Sequence, residues 1–159
     1  MAYTLKVDGL KELSDLLDKM DRGVTAVAAK ALYDGAGVMA DEMNMGAEQI
    51  ETAPFHYAVF VTRQPSPEEK EIVKNAAAGI AKFRKDGYDV DTSVGFRNAG
   101  YAMLKGKQVP IPKIVNAINS GTSFMQKQPF VRKAVRTGGP KAIEAMKKTI
   151  ESEFEAMDK

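Results

Sequence analysis

The chain has 159 residues, 44% hydrophobic and 28% charged, with a formal net charge of +2 and no cysteine. This is the size of one globular domain, which buries roughly 68–70% of the surface its unfolded chain exposes. The missing cysteine excludes disulfide staples, zinc–thiolate sites and thiol nucleophiles, and no apolar run reaches the ~20 residues a membrane helix needs.

In chain order, Tyr3 to Val7 alternate, with Tyr3, Leu5 and Val7 on one face, and predict a short strand. Leu10, Leu13, Leu17 and Met20 recur at helical spacing and predict a short amphipathic helix after Asp8. Residues 24–50 predict a long helix, with Ala28, Leu32, Ala36, Met39, Met43, Ala47 and Ile50 as its buried stripe. Gly35, Gly37 and Gly46 each cost roughly 1 kcal/mol against alanine in a helix interior. Small residues four apart, Ala31 with Gly35 and Ala36 with Ala40, predict that another backbone approaches this helix closely.

The apolar run from Phe55 to Val61 predicts a strand. Ser66-Pro67-Glu68-Glu69 is a strong helix start, with Ser66 as cap, Pro67 at the first helical position and Glu69 as the capping-box acid. The helix is expected to run to about residue 85, burying Ile72, Ala76, Ile80 and Phe83, before Gly87 stops it. Residues 88–97 alternate, with Tyr88, Val90, Thr92, Val94 and Phe96 on one face of a strand. Residues 98–111 read as loop. Three helices are expected to follow: Lys113–Asn119, closed by Gly121; one opened by Pro129 and ended near Thr137-Gly138-Gly139; and a last one opened by Pro140, burying Ile143, Met146, Ile150, Phe154 and Met157. Strands and helices without strict alternation predict an α+β fold: a small sheet packed with a long N-terminal helix and several shorter ones.

Charge is unevenly placed. Residues 1–60 carry 5 Lys/Arg against 10 Asp/Glu, whereas 97–148 carry 11 basic residues and a single acid, Glu144. Such a basic segment can face solvent, nucleic acid or the acidic part of a neighbouring copy. The alternative function, a nucleic-acid-binding module, would use this 97–148 segment.

Catalytic chemistry finds little to work with. The chain has one histidine, His56, and no second one to build a metal site with it. Asp89 and Asp91 share a strand face, where solvent-side charges explain them. Gly138-Gly139-Pro140 lacks the spacing of a phosphate loop and reads as a turn between helices. Ser120, Thr122 and Ser123 have no base nearby in sequence, and neither a nucleophile elbow nor a Walker motif is present. No enzyme, cofactor or metal is expected.

The stretch 120–135, SGTSFMQKQPFVRKAV, has the character of a shaped loop running into a helix. Gly121 with Thr122-Ser123 reverses the chain and bonds it locally. Gln128 is extended because Pro129 follows. Phe130 is expected to be buried in its own subunit. Phe124 and Met125 are large apolar groups on a loop, and Arg132 projects from the next turn. These are residue types enriched at interfaces.

The stretch resembles the C-terminal signature of the head–tail joining proteins of tailed bacteriophages, also called neck or tail-completion proteins. The matching positions are Gly121, Thr122, Ser123, Met125, Gln128, Pro129, Phe130, Arg132 and Ala134. The opening is also similar: a strand, VDGLKELSDLLDKM as a first helix, then a long helix leading to Thr52-Ala53-Pro54. The middle departs, with FHYAVFVTRQ and an extra helix expected within 66–87. The resemblance implies a single tail-terminator-like domain over 1–159. It implies a virion protein forming a ring, of six copies, at the head-proximal end of the tail. Its implied partners are further copies of itself, a head-completion or connector protein, the tail-tube protein, and genomic DNA in the channel, with no membrane. In that setting Gly121, Thr122, Ser123, Phe124, Met125, Gln128, Pro129 and Arg132 are expected at the subunit interface, Met125 and Arg132 finding their partners on another chain. Phe130 is the anchor within the subunit.

Overall fold

The computed structural model describes residues 2–5, 23–52, 63–86 and 89–159. The expected helix over Leu10–Met20, the strand over Phe55–Val61, His56, Gly87 and Tyr88 lie outside the described residues. The fold is α+β, with four helices and two small antiparallel sheets among the described residues.

The long helix α1 (Val24–Glu48) carries the core. All seven residues of its expected stripe are buried, from Ala28 at 6% exposure to Ala36 and Met43 at 0%. Against it runs α4 (Phe130–Met157), antiparallel along its whole length. Gly23 faces Met157, Gly35 faces Met146, Met39 and Glu42 face Gly138, and Gly46 faces Phe130. Lys30 pairs with Glu153 and Lys141 with Glu42 across the seam, and Thr149 Oγ1 donates to Asp34 at 2.6 Å. The close approach predicted from the small residues of α1 is thus made within the chain itself.

Two expected helices are one. Gly138-Gly139-Pro140 does not turn the chain, and α4 continues through it. Gly138 must lie against α1, where a Cβ would come within 2.9 Å of Glu42 Cγ. Gly139 has no Cβ to clash with the following proline ring, the clash that normally drives a pre-proline residue out of the helical region. Pro140 forfeits only the bond to the carbonyl of Arg136, on an exposed side where water can replace it. The buried ridge of α4 is also shifted from the expected one. It consists of Phe130, Val131, Ala134, Gly138, Ala142 and Met146, while Ile143 and Met157 stand 53% and 54% exposed.

Helix α2 (Pro67–Ala76) starts as predicted, with the full capping box: Glu69 N–H donates to Ser66 Oγ at 3.1 Å and Ser66 N–H to Glu69 Oε2 at 2.8 Å. It ends nine residues earlier than expected. Ala77 has φ 52°, and Ala78 N–H donates to Asn44 Oδ1 of α1 at 2.7 Å. The residues beyond, expected to be helical, form β2 (Gly79–Ile80) and β3 (Arg84–Asp86). Nothing local stops this helix. Pairing with β4 (Asp89–Gly95) overrides its propensity.

β4 is the sheet's centre. β1 (Ala2–Leu5) lies antiparallel on one side, and β2 and β3 follow each other along the opposite side. Thr92, Val94 and Phe96 point into the core, each buried, as their alternation predicted. The segment read as loop contains a hairpin instead, β5 (Tyr101–Leu104) with β6 (Lys107–Pro110). Lys105 and Gly106 hold φ 50° and 74° in its two-residue turn, the primed type that matches strand twist. Helix α3 (Ile111–Ser120) follows directly and buries Ile114, Val115 and Ile118.

A pinned loop with an exposed aromatic tip

Helix α3 ends at Gly121, whose φ is 76°. A Cβ there would also meet Lys127 Cβ at 3.0 Å, so both backbone conformation and space require glycine. Thr122 closes the loop. Its Oγ1 accepts from the N–H groups of Phe124 and Met125 at 3.2 and 3.0 Å, and its own N–H donates to the Met125 carbonyl at 3.0 Å. Ser123 is exposed.

A second segment holds the loop from outside. Arg63 N–H donates to the Phe124 carbonyl at 2.8 Å, and Gln126 N–H donates to the Arg63 carbonyl at 2.9 Å, forming a parallel bridge. The Arg63 side chain is fixed in turn, its guanidinium gripping Glu69 in two places at 2.7 and 2.6 Å. Burial pushes the Glu69 carboxyl up, but the bonds from Arg63 and from the Ser66 backbone outweigh it and hold the carboxyl below its usual range.

Gln128 is the third tie. Its Oε1 accepts from Glu51 N–H at 2.9 Å, and its Nε2 donates to the Glu51 carbonyl at 2.9 Å and to Gln64 Oε1 at 2.6 Å. Its backbone N–H reaches Ile118 O at 2.8 Å. Pro129 then leads into α4, where buried Asn119 Oδ1 accepts from Val131 N–H at 3.1 Å. Phe130 is 5% exposed, its ring edge-on to Phe96 with centroids 6.2 Å apart.

One expected interface residue needs correction. Met125 is 5% exposed and belongs to the chain's own core, so its partners are not on another chain. The bridge to Arg63 turns its side chain inward, and in a strand-like segment adjacent side chains point opposite ways. Phe124 accordingly points outward and is 78% exposed. Arg132 is exposed in the first turn of α4 and makes no ion pair among the described residues. With Lys133 it sets two cations at the positive end of a helix that has no acid in its first turn. The supporting residues Arg63, Gln64 and Glu51 carried no sequence signal for this role, because their contacts to the loop cross more than fifty positions of chain, whereas Glu69, which holds Arg63 from six positions away, was legible only as the capping-box acid.

Among the described residues no group of three or more His, Cys, Asp or Glu could hold a metal ion. No described helix is long and apolar enough to cross a membrane. No family model, curated protein or solved structure matches the chain.

Proposed function

We propose that the chain is a structural component of a phage-like neck, docking on a second copy of itself and on neighbouring tail proteins through the surface around Phe124 and Arg132. The observation that carries this reading is Phe124, a 78% exposed aromatic at the tip of a loop tied down on both sides. A large apolar group presented rigidly to water is what an interface anchor requires, because little ordering entropy remains to be lost on docking. Arg132, which makes no ion pair among the described residues, offers a planar fork to a carboxylate on the partner. The resemblance of 121–134 to neck proteins supports the same reading and adds the assembly: a ring of six copies at the head-proximal end of the tail, between head-completion and tail-tube proteins around the DNA channel.

The test is the native mass of the purified protein, alone and mixed with the tail-tube protein of the same particle, followed by electron microscopy of heads with attached tails. Phe124→Ala and Arg132→Ala are expected to keep a folded monomer and block joining. A wild-type protein that stays monomeric in the presence of tails, or variants that join normally, would overturn the proposal.

A further inference from the structure

The strand pairing along β4 contains an irregularity. Gly79 and Ile80 stand opposite Gly95 and Val94, and Arg84 stands opposite Asp91. Three residues, 81–83, therefore face two, 92 and 93, which is a β-bulge. In a regular strand successive side chains alternate between faces. Here Lys82, Phe83 and Arg84, three in a row, are all exposed and all line one open cleft of about 740 Å³. Arg97, from the turn after β4, enters the same cleft. Among the described residues, Lys82, Arg84 and Arg97 make no ion pair and Asp91 is the one acid lining the cleft. Phe83 is 38% exposed and lies beside Tyr33 of α1, ring centroids 6.4 Å apart.

We infer that this cleft binds a nucleotide, its phosphate held by Lys82, Arg84 and Arg97 and its base laid against Phe83. Three cations that make no ion pair among the described residues, lining one cleft with a partly exposed aromatic ring, are the elements of such a site: charge for the phosphate, a π-surface for the base. The volume falls within the range of small-ligand sites. The bulge supplies the physical reason these groups converge, since it re-aims side chains a regular ladder would send to opposite faces. Of the three cations only Arg97 belongs to the basic segment 97–148, and the site is independent of the docking surface at Phe124. The nucleotide can be free or part of a single strand, and the chemistry is the same.

The experiment uses the full chain and a fluorescein-labelled oligothymidylate of about twelve nucleotides, within the footprint of single-strand sites, read by anisotropy with AMP and inorganic phosphate as competitors. Lys82→Glu/Arg97→Glu is expected to weaken binding by about tenfold or more and to reduce the slope of log affinity against log salt by about 1 to 2. Phe83→Ala is expected to weaken it by about fivefold or more. A charge-matched control, Lys133→Glu/Lys147→Glu, should stay within about twofold of wild type, and melting curves should show all variants folded. Competition by AMP assigns the site to free nucleotides, and its absence assigns it to a strand; either supports the inference. Failure of the wild type to bind, equal losses in the control, unchanged binding in Phe83→Ala, or displacement of the oligonucleotide by phosphate at concentrations no higher than those at which AMP displaces it would overturn it.

Discussion

Gly138 on α4 lies so close to Met39 on α1 that a Cβ built on it would sit 3.0 Å from the methionine Sδ. The same position would bring it within 2.9 Å of Glu42 Cγ, and Ala142 and Met146 continue the seam beyond it. This contact is where the two longest helices meet, so the register of the whole core depends on a residue with no side chain.

Gly138→Ala should therefore destabilise the protein, by about 1–3 kcal/mol as for other overpacked sites, although alanine is the better helix former by about 1 kcal/mol. Gly37 provides the contrast. It lies inside α1 with open space where a Cβ would go, so Gly37→Ala should stabilise by about 0.5–1 kcal/mol. Urea unfolding of the two variants measures both. A Gly138→Ala protein as stable as Gly37→Ala would mean that the helices do not approach this closely.

The neighbours Phe124 and Met125 should respond oppositely to truncation. Met125→Ala removes a buried side chain and is expected to cost about 2–5 kcal/mol, and Phe130→Ala about 3–5 kcal/mol. Phe124→Ala, at an exposed tip, should change stability by no more than about 0.5 kcal/mol. Thermal melts of the three variants decide the orientation of the loop. A large loss in Phe124→Ala together with a neutral Met125→Ala would reverse it.

Gln128 joins three segments that are remote in sequence, and its amide uses both its acceptor and its donor in doing so. Gln128→Glu keeps the shape but loses the donor, leaving the Glu51 carbonyl and Gln64 Oε1 without it. A loss of about 1–3 kcal/mol is expected. Gln128→Leu removes the acceptor as well, so hydrogen exchange at the Glu51 amide, which donates to Gln128 Oε1 in the wild type, should accelerate in that variant.

Glu69 links the loop to pH. Its carboxyl titrates below its ordinary value of 4.5, so its stabilisation is present above that value and is lost as pH falls through the lower, folded one. Glu69→Gln should lower stability at pH 7 and flatten its decline as pH falls from the ordinary carboxylate range downward. Denaturant unfolding across that window tests this. A variant with the same acid slope as wild type would show that the Arg63–Glu69 pair contributes nothing to it.

Much of this architecture was legible from local pattern. The α1 stripe, the β4 alternation, the Ser66 capping box and the glycine after α3 all depend on spacing and turn chemistry within a few residues, and each lies where that chemistry puts it. The burial of Phe130 follows from the same logic, as an apolar residue directly after a helix-starting proline.

The rest was decided by distant partners. Residues 79–86 have helix-compatible composition, but β4 offers them a ladder, and tertiary hydrogen bonds outweigh a propensity worth a few tenths of a kcal/mol per residue. Gly138-Gly139-Pro140 has the local signature of a break, yet α1 presses against Gly138 and keeps one helix running through it. Met125 and Phe124 are adjacent apolar residues with no sequence feature to separate them. Only the bridge from Arg63 turns one inward and leaves the other in water. The sequence by itself determined which segments had to bury an apolar face. The tertiary structure decided which residues at the margins joined them, because a buried contact is set by what lies opposite, and what lies opposite here comes from the far end of the chain.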